Sequence, residues 1–299
     1  MTNVSIIGAN SYIGRNLIRV LLKNSDNILY LYDCADNQID NFDNYFKIDV
    51  FSEESLKKIN YNVDMIFMFT GKTGNDAFSN YNMFIDVNEK SLIGFLNVYK
   101  SKRTKAKIIF PSTRLVYKGS RNLLKETAPG DFKSIYSINK FACEKYLELY
   151  HNVFDIQYCI CRISIPYGTL INQASSYGTI DIFMEKAREH SDIVLYGDGS
   201  PRRTITHIED LCNQLYLVGL NDNCKNDVYN IGGEDYSLFE MAEYIAVKYK
   251  VGIAYIDWPY ISKKTESGDT VFDSSKLDNI INYTYLHNYK EWVGIKQDK

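Results

Sequence analysis

The feature that most constrains this chain is a rhythm. Apolar runs of strand length recur at 4–7, 28–32, 65–69, 107–110 and 157–163, and most of the gaps carry apolar residues at helical spacing, as in 17–23 and 92–99. Consecutive parallel strands must be joined by a crossover, and strands covered on both faces read as unbroken apolar runs. The order therefore predicts an α/β chain with a doubly wound parallel sheet and helices on both faces. After about residue 165 the rhythm gives way to glycine-punctuated loops, short strands and helical stretches near 179–190, 208–220 and 237–249. The expected division is a first domain over 1–165 and a smaller α/β domain over 166–299, some of whose segments return to the first sheet.

Composition narrows the function classes. A chain of 299 residues with 45% hydrophobic content can bury a sizeable core. Its formal net charge of −3 offers no general attraction for nucleic acid or an anionic membrane surface, so neither is expected as a partner. The densest basic stretch, "KSKRTKAK" at 100–107, reads as a solvated helix end running into the next strand. No apolar run approaches the roughly 20 residues that span a bilayer, and the chain opens into a strand without a signal-peptide pattern, so a cytoplasmic location is expected. Six cysteines suit that compartment as reduced thiols. Cys159 and Cys161 alternate along a strand and are expected to point to opposite faces rather than converge on a metal; no metal site is expected.

The stretch "VSIIGANSYIGRNL" at 4–17 closes the first strand and opens a helix. In an open parallel sheet this is where a dinucleotide's pyrophosphate can rest on a helix N-terminus. Gly8 would supply the tight turn and Gly14 the close helix–strand packing, while Ser11 stands where a glycine usually lets backbone approach phosphate. Its small hydroxyl can donate to a phosphate oxygen. A bare strand–turn–helix corner is the alternative. Asp33 closes the second strand about 20 residues beyond the loop, where a carboxylate accepts from ribose hydroxyls and repels a 2′-phosphate, which favours NAD over NADP. Asp49, after "FKIDV", could accept from the adenine amino group or be a simple turn residue.

Chemistry is suggested by Tyr-x-x-x-Lys, which puts a phenol and an ammonium on one helix face. Three such pairs occur: Tyr136/Lys140, Tyr244/Lys248 and Tyr260/Lys264. The second lies in a helix whose Phe239, Ala242, Ile245 and Ala246 form a core stripe, and the third follows Pro259 in an expected loop. Tyr136/Lys140 opens a helix shortly after "IIFPSTRLVY", a strand ending in Ser112 and Thr113 at the carboxyl edge of the sheet, where ligands bind. Both hydroxyls are expected to face the same site as Tyr136.

With these residues in view, the chain resembles the extended short-chain dehydrogenase/reductase family, in its NAD-dependent epimerase/dehydratase group acting on nucleotide sugars, of which UDP-glucose 4-epimerase is the best-known member. The matching pieces are "GANSYIG", "YD", "KIDV", "FTGKTG", "DVN", "PSTRLVY", "ETAP", "YSINK", "RISIPYG", "LYGDGSPRRTITHIEDL" and "YNIGG", in that order across nearly the whole chain. The resemblance implies a Rossmann-type NAD-binding domain followed by a mainly substrate-binding one. It implies Thr113, Tyr136 and Lys140 as the catalytic trio, with Lys140 also reaching the nicotinamide ribose. Gly8, Ser11, Tyr12, Ile13 and Gly14 would surround the pyrophosphate. Asp49 and Val50 would flank adenine, and Phe69, Thr70, Gly71 and Asn88 would line the cofactor trough. Arg203 would clamp the substrate's diphosphate and Tyr196 would lie near its base. A homodimer is the family's common assembly.

Three departures bear on the reaction. The arginine usual before a late "GD" is missing from "KKTESGDTVFDSSK"; Glu266 stands near its place, and Lys263 or Lys264 are candidate substitutes. Ile165 replaces a common asparagine. Members that eliminate water carry an acidic pair after the catalytic threonine, whereas this chain has Arg114–Leu115, which argues against a 4,6-dehydratase. The expected function is a nucleotide-sugar epimerase acting at C4 by reversible hydride transfer to NAD. A 4-ketoreductase is the alternative, and a non-catalytic dinucleotide-binding module is a rival from another class.

Overall fold

A computed structural model describes residues 1–37, 42, 44–74, 78–171 and 178–294. The strands formed among them are β1 (Thr2–Ile7), β2 (Asn27–Asp33), β3 (Tyr45–Lys47), β4 (Met65–Met68), β5 (Lys107–Thr113), β6 (Tyr158–Ile163), β7 (Ile165–Tyr167), β8 (Ile193–Tyr196), β9 (Arg202–His207), β10 (Asp227–Asn230), β11 (Glu234–Ser237) and β12 (Ile253–Ile256). Seven of them form one sheet in the order β10-β6-β5-β4-β1-β2-β3, with every neighbouring pair parallel. The chain starts in the middle at β1, runs outward to β3, then restarts at β4 and runs the other way. That reversal beside β1 opens a crevice at the carboxyl ends of the strands.

Helices Tyr12–Leu21 and Ile208–Leu220 cover one face of this sheet, and Ser91–Ser101 and Ile135–Phe154 the other. Successive strand residues serve opposite cores: Val4, Ile6, Leu31, Phe67 and Ile109 pack on the first side, Ile7, Tyr32, Ile66, Ile108 and Phe110 on the second. This two-sided burial is why the runs read as unbroken apolar sequence.

Two sequence expectations need correcting. Cys159 and Cys161 are two residues apart on β6, and a strand has a side-chain period of two, so both thiols enter the same core rather than opposite ones. All six cysteines are free thiols. Lys107, the last residue of the basic stretch, is buried rather than solvated. Its Nζ donates to the carbonyls of Val218 at 2.9 Å and Asn221 at 2.7 Å, satisfying the end of helix Ile208–Leu220, and burial pushes its pKa down. No helix among the described residues is long and apolar enough to cross a membrane.

Beyond β6 the chain builds two small sheets, β11-β9-β7 and β12-β8, over a separate core that includes Tyr167, Phe183, Leu195, Met241, Ile245 and Tyr289. Tyr244 packs its ring against Tyr236 and Tyr289 in this core, consistent with a packing role for the second Tyr/Lys pair. The third pair lies in an exposed helix, Tyr260–Thr265, rather than the expected loop. Between these pieces β10 crosses back to extend the large sheet beside β6. Asp210 ties the chain's end to helix Ile208–Leu220, accepting from the Tyr283 hydroxyl at 2.7 Å and the Leu286 N–H at 2.8 Å.

Candidate active site

The crevice is shaped first by backbone. Gly8 turns with φ +85°, its N–H donates to the Tyr32 carbonyl at 2.8 Å, and a Cβ there would stand 2.8 Å from the Phe69 carbonyl carbon. A Cβ on Gly14 would meet the Gly8 carbonyl oxygen at 2.5 Å. Both positions admit only glycine because the loop after β1 passes against β4 and the following helix. Ser11 Oγ accepts from the Gly14 N–H at 3.1 Å and so caps helix Tyr12–Leu21; its hydroxyl hydrogen stays available to an anion at that N-terminus. The Tyr12 hydroxyl donates to the Gly168 carbonyl at 2.6 Å, and burial holds its pKa well above the ordinary phenol value. Its side chain therefore links this helix to the loop after β7.

Asp33 ends β2 with one carboxylate oxygen accepting from the Asn10 N–H at 2.9 Å and the other from Ala35 N–H at 3.1 Å. It is fixed at the rim of the loop. Asp49 is exposed and its Oδ1 accepts from the Phe51 N–H at 2.9 Å, an Asx turn that leaves the other oxygen open. Asn88 lies in a π-helical turn, Asp86–Lys90, and is buried with its amide bonded both ways to the Lys72 backbone, at 2.9 and 3.0 Å. It thus holds the loop Phe69, Thr70 and Gly71 in place.

Thr113 ends β5 and its Oγ1 accepts from the Leu115 N–H at 3.2 Å, starting a 3₁₀ turn, Arg114–Val116. Helix Ile135–Phe154 begins with a capping box between Ser134 and Ser137, so Tyr136 and Lys140 occupy its first two turns, against β5. The Lys140 Nζ sits 4.0 Å from the Phe110 ring centroid, is buried, and has no hydrogen-bond acceptor among the described residues. Desolvation pushes its pKa down to about 8, against the raising influence of Cys143 and Glu144. Burial pushes the Tyr136 phenol upward, with Cys143 adding to the shift. Protein alone therefore leaves Tyr136 protonated.

Ser112 is two residues on from Phe110 and lies on the same face of β5, toward helix Ile135–Phe154; its hydroxyl donates to Glu144, whose carboxylate takes a bidentate pair from Arg162 at 3.0 and 2.6 Å. Arg162 also donates to the Glu126 carbonyl at 3.0 Å and lies over the Tyr117 ring. The group is a buried brace at the end of β5, and it engages the Ser112 hydroxyl.

Around β9 the structure gathers charge. Arg203 on β9 is 1% exposed; its Nη1 donates to the Gly268 carbonyl at 2.6 Å and its Nη2 to Glu266. The Arg114 guanidinium reaches the same place, with Nη1 3.3 Å from Ser267 Oγ and 3.2 Å from Thr270 Oγ1, and its pKa is lowered to about 9 by burial and by Arg203. Sequence reading noted Glu266 and Arg114 as departures but not as neighbours of Arg203; the charge reversal at 266 was the available signal. The Tyr196 ring packs against Trp258 with centroids 5.3 Å apart and planes tilted by 47°, a partner the sequence did not announce. Ile165 is buried in β7, paired with Ile205. His207, Glu209 and His287 bring ligand atoms within 4.8 Å of one another, but Glu209 is already paired with Lys23 and His287.

A Rossmann sheet with a glycine loop at its switch point and a Tyr/Lys pair on the neighbouring helix defines a dinucleotide-dependent enzyme of the short-chain dehydrogenase/reductase kind. The chain belongs to the NAD dependent epimerase/dehydratase family, whose model matches residues 4–232. It is 25% identical over 257 residues to a putative UDP-glucose 4-epimerase from Methanocaldococcus jannaschii, covering 83% of this chain and 82% of the relative. Solved structures share the fold: UDP-N-acetylglucosamine 4-epimerase from Methanobrevibacter ruminantium M1 at TM-score 0.85 and 21% identity, covering 98% of this chain and 96% of that one. UDP-glucuronic acid 4-epimerase from Bacillus cereus, solved with UDP-glucuronic acid and NAD, gives TM-score 0.87 and 19% identity, covering 97% and 96%. The residues present fit NAD: the turn at Gly8 leads into the N-terminus of helix Tyr12–Leu21, a ready anion site, and Asp33 holds the Asn10 N–H of that same turn.

Proposed function

We propose that this protein is a nucleotide-sugar epimerase acting at C4, and the observation that carries the reading is the buried Lys140 ammonium one helical turn from Tyr136, at the strand end that holds Thr113. NAD, when bound, supplies the hydride acceptor and donor and a positive charge beside the phenol. Tyr136 Oη takes the proton of the C4 hydroxyl and returns it; Lys140 favours the phenolate that forms, and the Thr113 hydroxyl orients the sugar oxygen. Gly8, Ser11, Tyr12, Ile13, Gly14, Asp33, Asp49, Val50, Phe69, Thr70 and Gly71 shape the dinucleotide's bed, while Asn88 positions it.

Arg114 supports epimerisation over dehydration. A guanidinium turned toward Ser267 and Thr270 cannot serve as the acid and base of an elimination. Asp33 supports NAD over NADP, which suits a cycle that regenerates its own cofactor. A homodimer is supported by helix Ile135–Phe154, which leaves Ile138, Leu149, Val153 and Phe154 exposed.

The test is incubation with UDP-, dTDP-, CDP- and GDP-hexoses without added reduced cofactor, following C4 inversion by NMR. One pair is expected to interconvert at catalytic turnover with no net change in nicotinamide absorbance. No inversion, together with stoichiometric NADH consumption on a 4-keto-6-deoxy sugar nucleotide, would replace this reading with a 4-ketoreductase.

A further inference from the structure

Glu266 sits in a place made for an anion. Its Oε1 accepts from Arg203 Nη2 and from the Gly268 N–H at 2.9 Å, and the Arg114 guanidinium lies alongside through Ser267 and Thr270. A guanidinium and a backbone N–H converging on one oxygen are the donors that hold a phosphate as readily as a carboxylate. Arg203 is otherwise fully enclosed, and its Nε has no partner among the described residues. As the site stands, Arg203 cannot meet a ligand unless the Glu266 side chain leaves.

The charges do not balance. Two guanidinium groups face a single carboxylate, which leaves about one unit of positive charge in a water-poor site. A diphosphate carries about two negative charges and would match both arginines. Glu266 also has somewhere to go. Its side chain is 24% exposed and borders a cavity of about 440 Å³ whose lining carries Lys133 and Lys263 as well as Asp198. Lys133 Nζ donates to the Glu266 carbonyl at 2.8 Å and pairs with Asp131 at 3.2 Å, so an ammonium lies close to the path of the carboxylate. The preceding helix, Tyr260–Thr265, buries none of its residues, so little packing opposes the motion.

We propose that Glu266 is a built-in competitor for the substrate's diphosphate: its carboxylate fills the anion hole of Arg203 and Gly268 until a doubly charged pyrophosphate ester displaces it. The residue thereby determines specificity. A singly charged phosphate diester cannot satisfy both arginines and is rejected, whereas the diphosphate of a nucleotide sugar is admitted at reduced affinity. This inference rests on the nucleotide-sugar reading above.

Calorimetric titration of the NAD-loaded protein with inorganic pyrophosphate and with UDP, dTDP, CDP and GDP tests it, using wild type, Glu266→Gln, Glu266→Ala and Arg203→Ala. The nucleoside diphosphate that binds best is expected to bind both Glu266 variants about 10-fold tighter, the low end of what a charge-assisted hydrogen bond contributes. Arg203→Ala is expected to lose that binding. Diphosphate binding to wild type that is equal or weaker in both Glu266 variants would overturn the proposal, making Glu266 a structural partner of Arg203 and leaving the nucleotide-sugar reading intact. Absence of binding by every probe to every variant would overturn both.

Discussion

The cofactor side and the substrate side of the crevice are held by different means. Around the dinucleotide loop the determinants are backbone: Gly8 against the Phe69 carbonyl, Gly14 against the Gly8 carbonyl, Asn88 clasping the Lys72 backbone in both directions. Around Arg203 they are side-chain charges, Arg114 and Glu266, that meet across three separate stretches of chain. Backbone contacts tolerate few residue types, so that side is tightly prescribed. Charge pairs can be exchanged one residue at a time, so the substrate side is where one member of a family departs from another.

The largest expected effect falls at the join of the two sides. Tyr136→Phe removes only the phenol oxygen and should lower kcat by about 10²–10⁴-fold while NAD binding and the melting profile stay close to wild type. If Tyr244→Phe causes that loss instead, the wrong tyrosine has been assigned. Next in size is the brace at the end of β5. Glu144→Ala leaves Arg162 charged and buried, and should cost about 3–5 kcal/mol in urea unfolding. A cost near zero would mean that the rigid side is held by its backbone alone.

Lys140 gives a pH signature. Its folded pKa of about 8 lies below the ordinary lysine value of 10.5, so between those values the unfolded chain binds more protons and stability rises with pH. Relative to Lys140→Met, the cofactor-free wild type should gain stability from about pH 8 to 10.5, on the order of 2–3 kcal/mol, measured by thermal melts across that range. A parallel pair of curves would show that the ammonium is solvated. The smallest effect belongs to Ser11→Ala, about 1 kcal/mol from the lost helix cap, read by denaturant midpoint.

The same division explains what the sequence disclosed. The parallel sheet and the glycine loop were legible because two-sided burial imposes unbroken apolar runs and because Gly8 and Gly14 answer to local geometry. The strand end at Thr113 and the helix start that carries Tyr136 and Lys140 were legible too, because both follow from local pattern. Cys159 and Cys161 were misplaced because alternate strand residues were read as opposed, which neglects the strand's period of two. The pairing of Glu266 with Arg203 was hidden for another reason. The two residues are 63 positions apart, and no local pattern announces a contact that depends on how the small sheets close.

The return of β10 to the large sheet has a consequence for how the molecule can be made and cut. Every residue of β6 is buried, and its outer edge is covered by Asp227–Asn230, which emerge from the ribosome some 65 residues later. Until then the nascent sheet ends in an unpaired, apolar edge, the kind that recruits other chains. A fragment ending at residue 165 would keep every glycine of the dinucleotide loop and still carry that open flank. The cofactor-binding half is continuous in function but not in sequence, and it closes only when the later half of the chain lends it a strand.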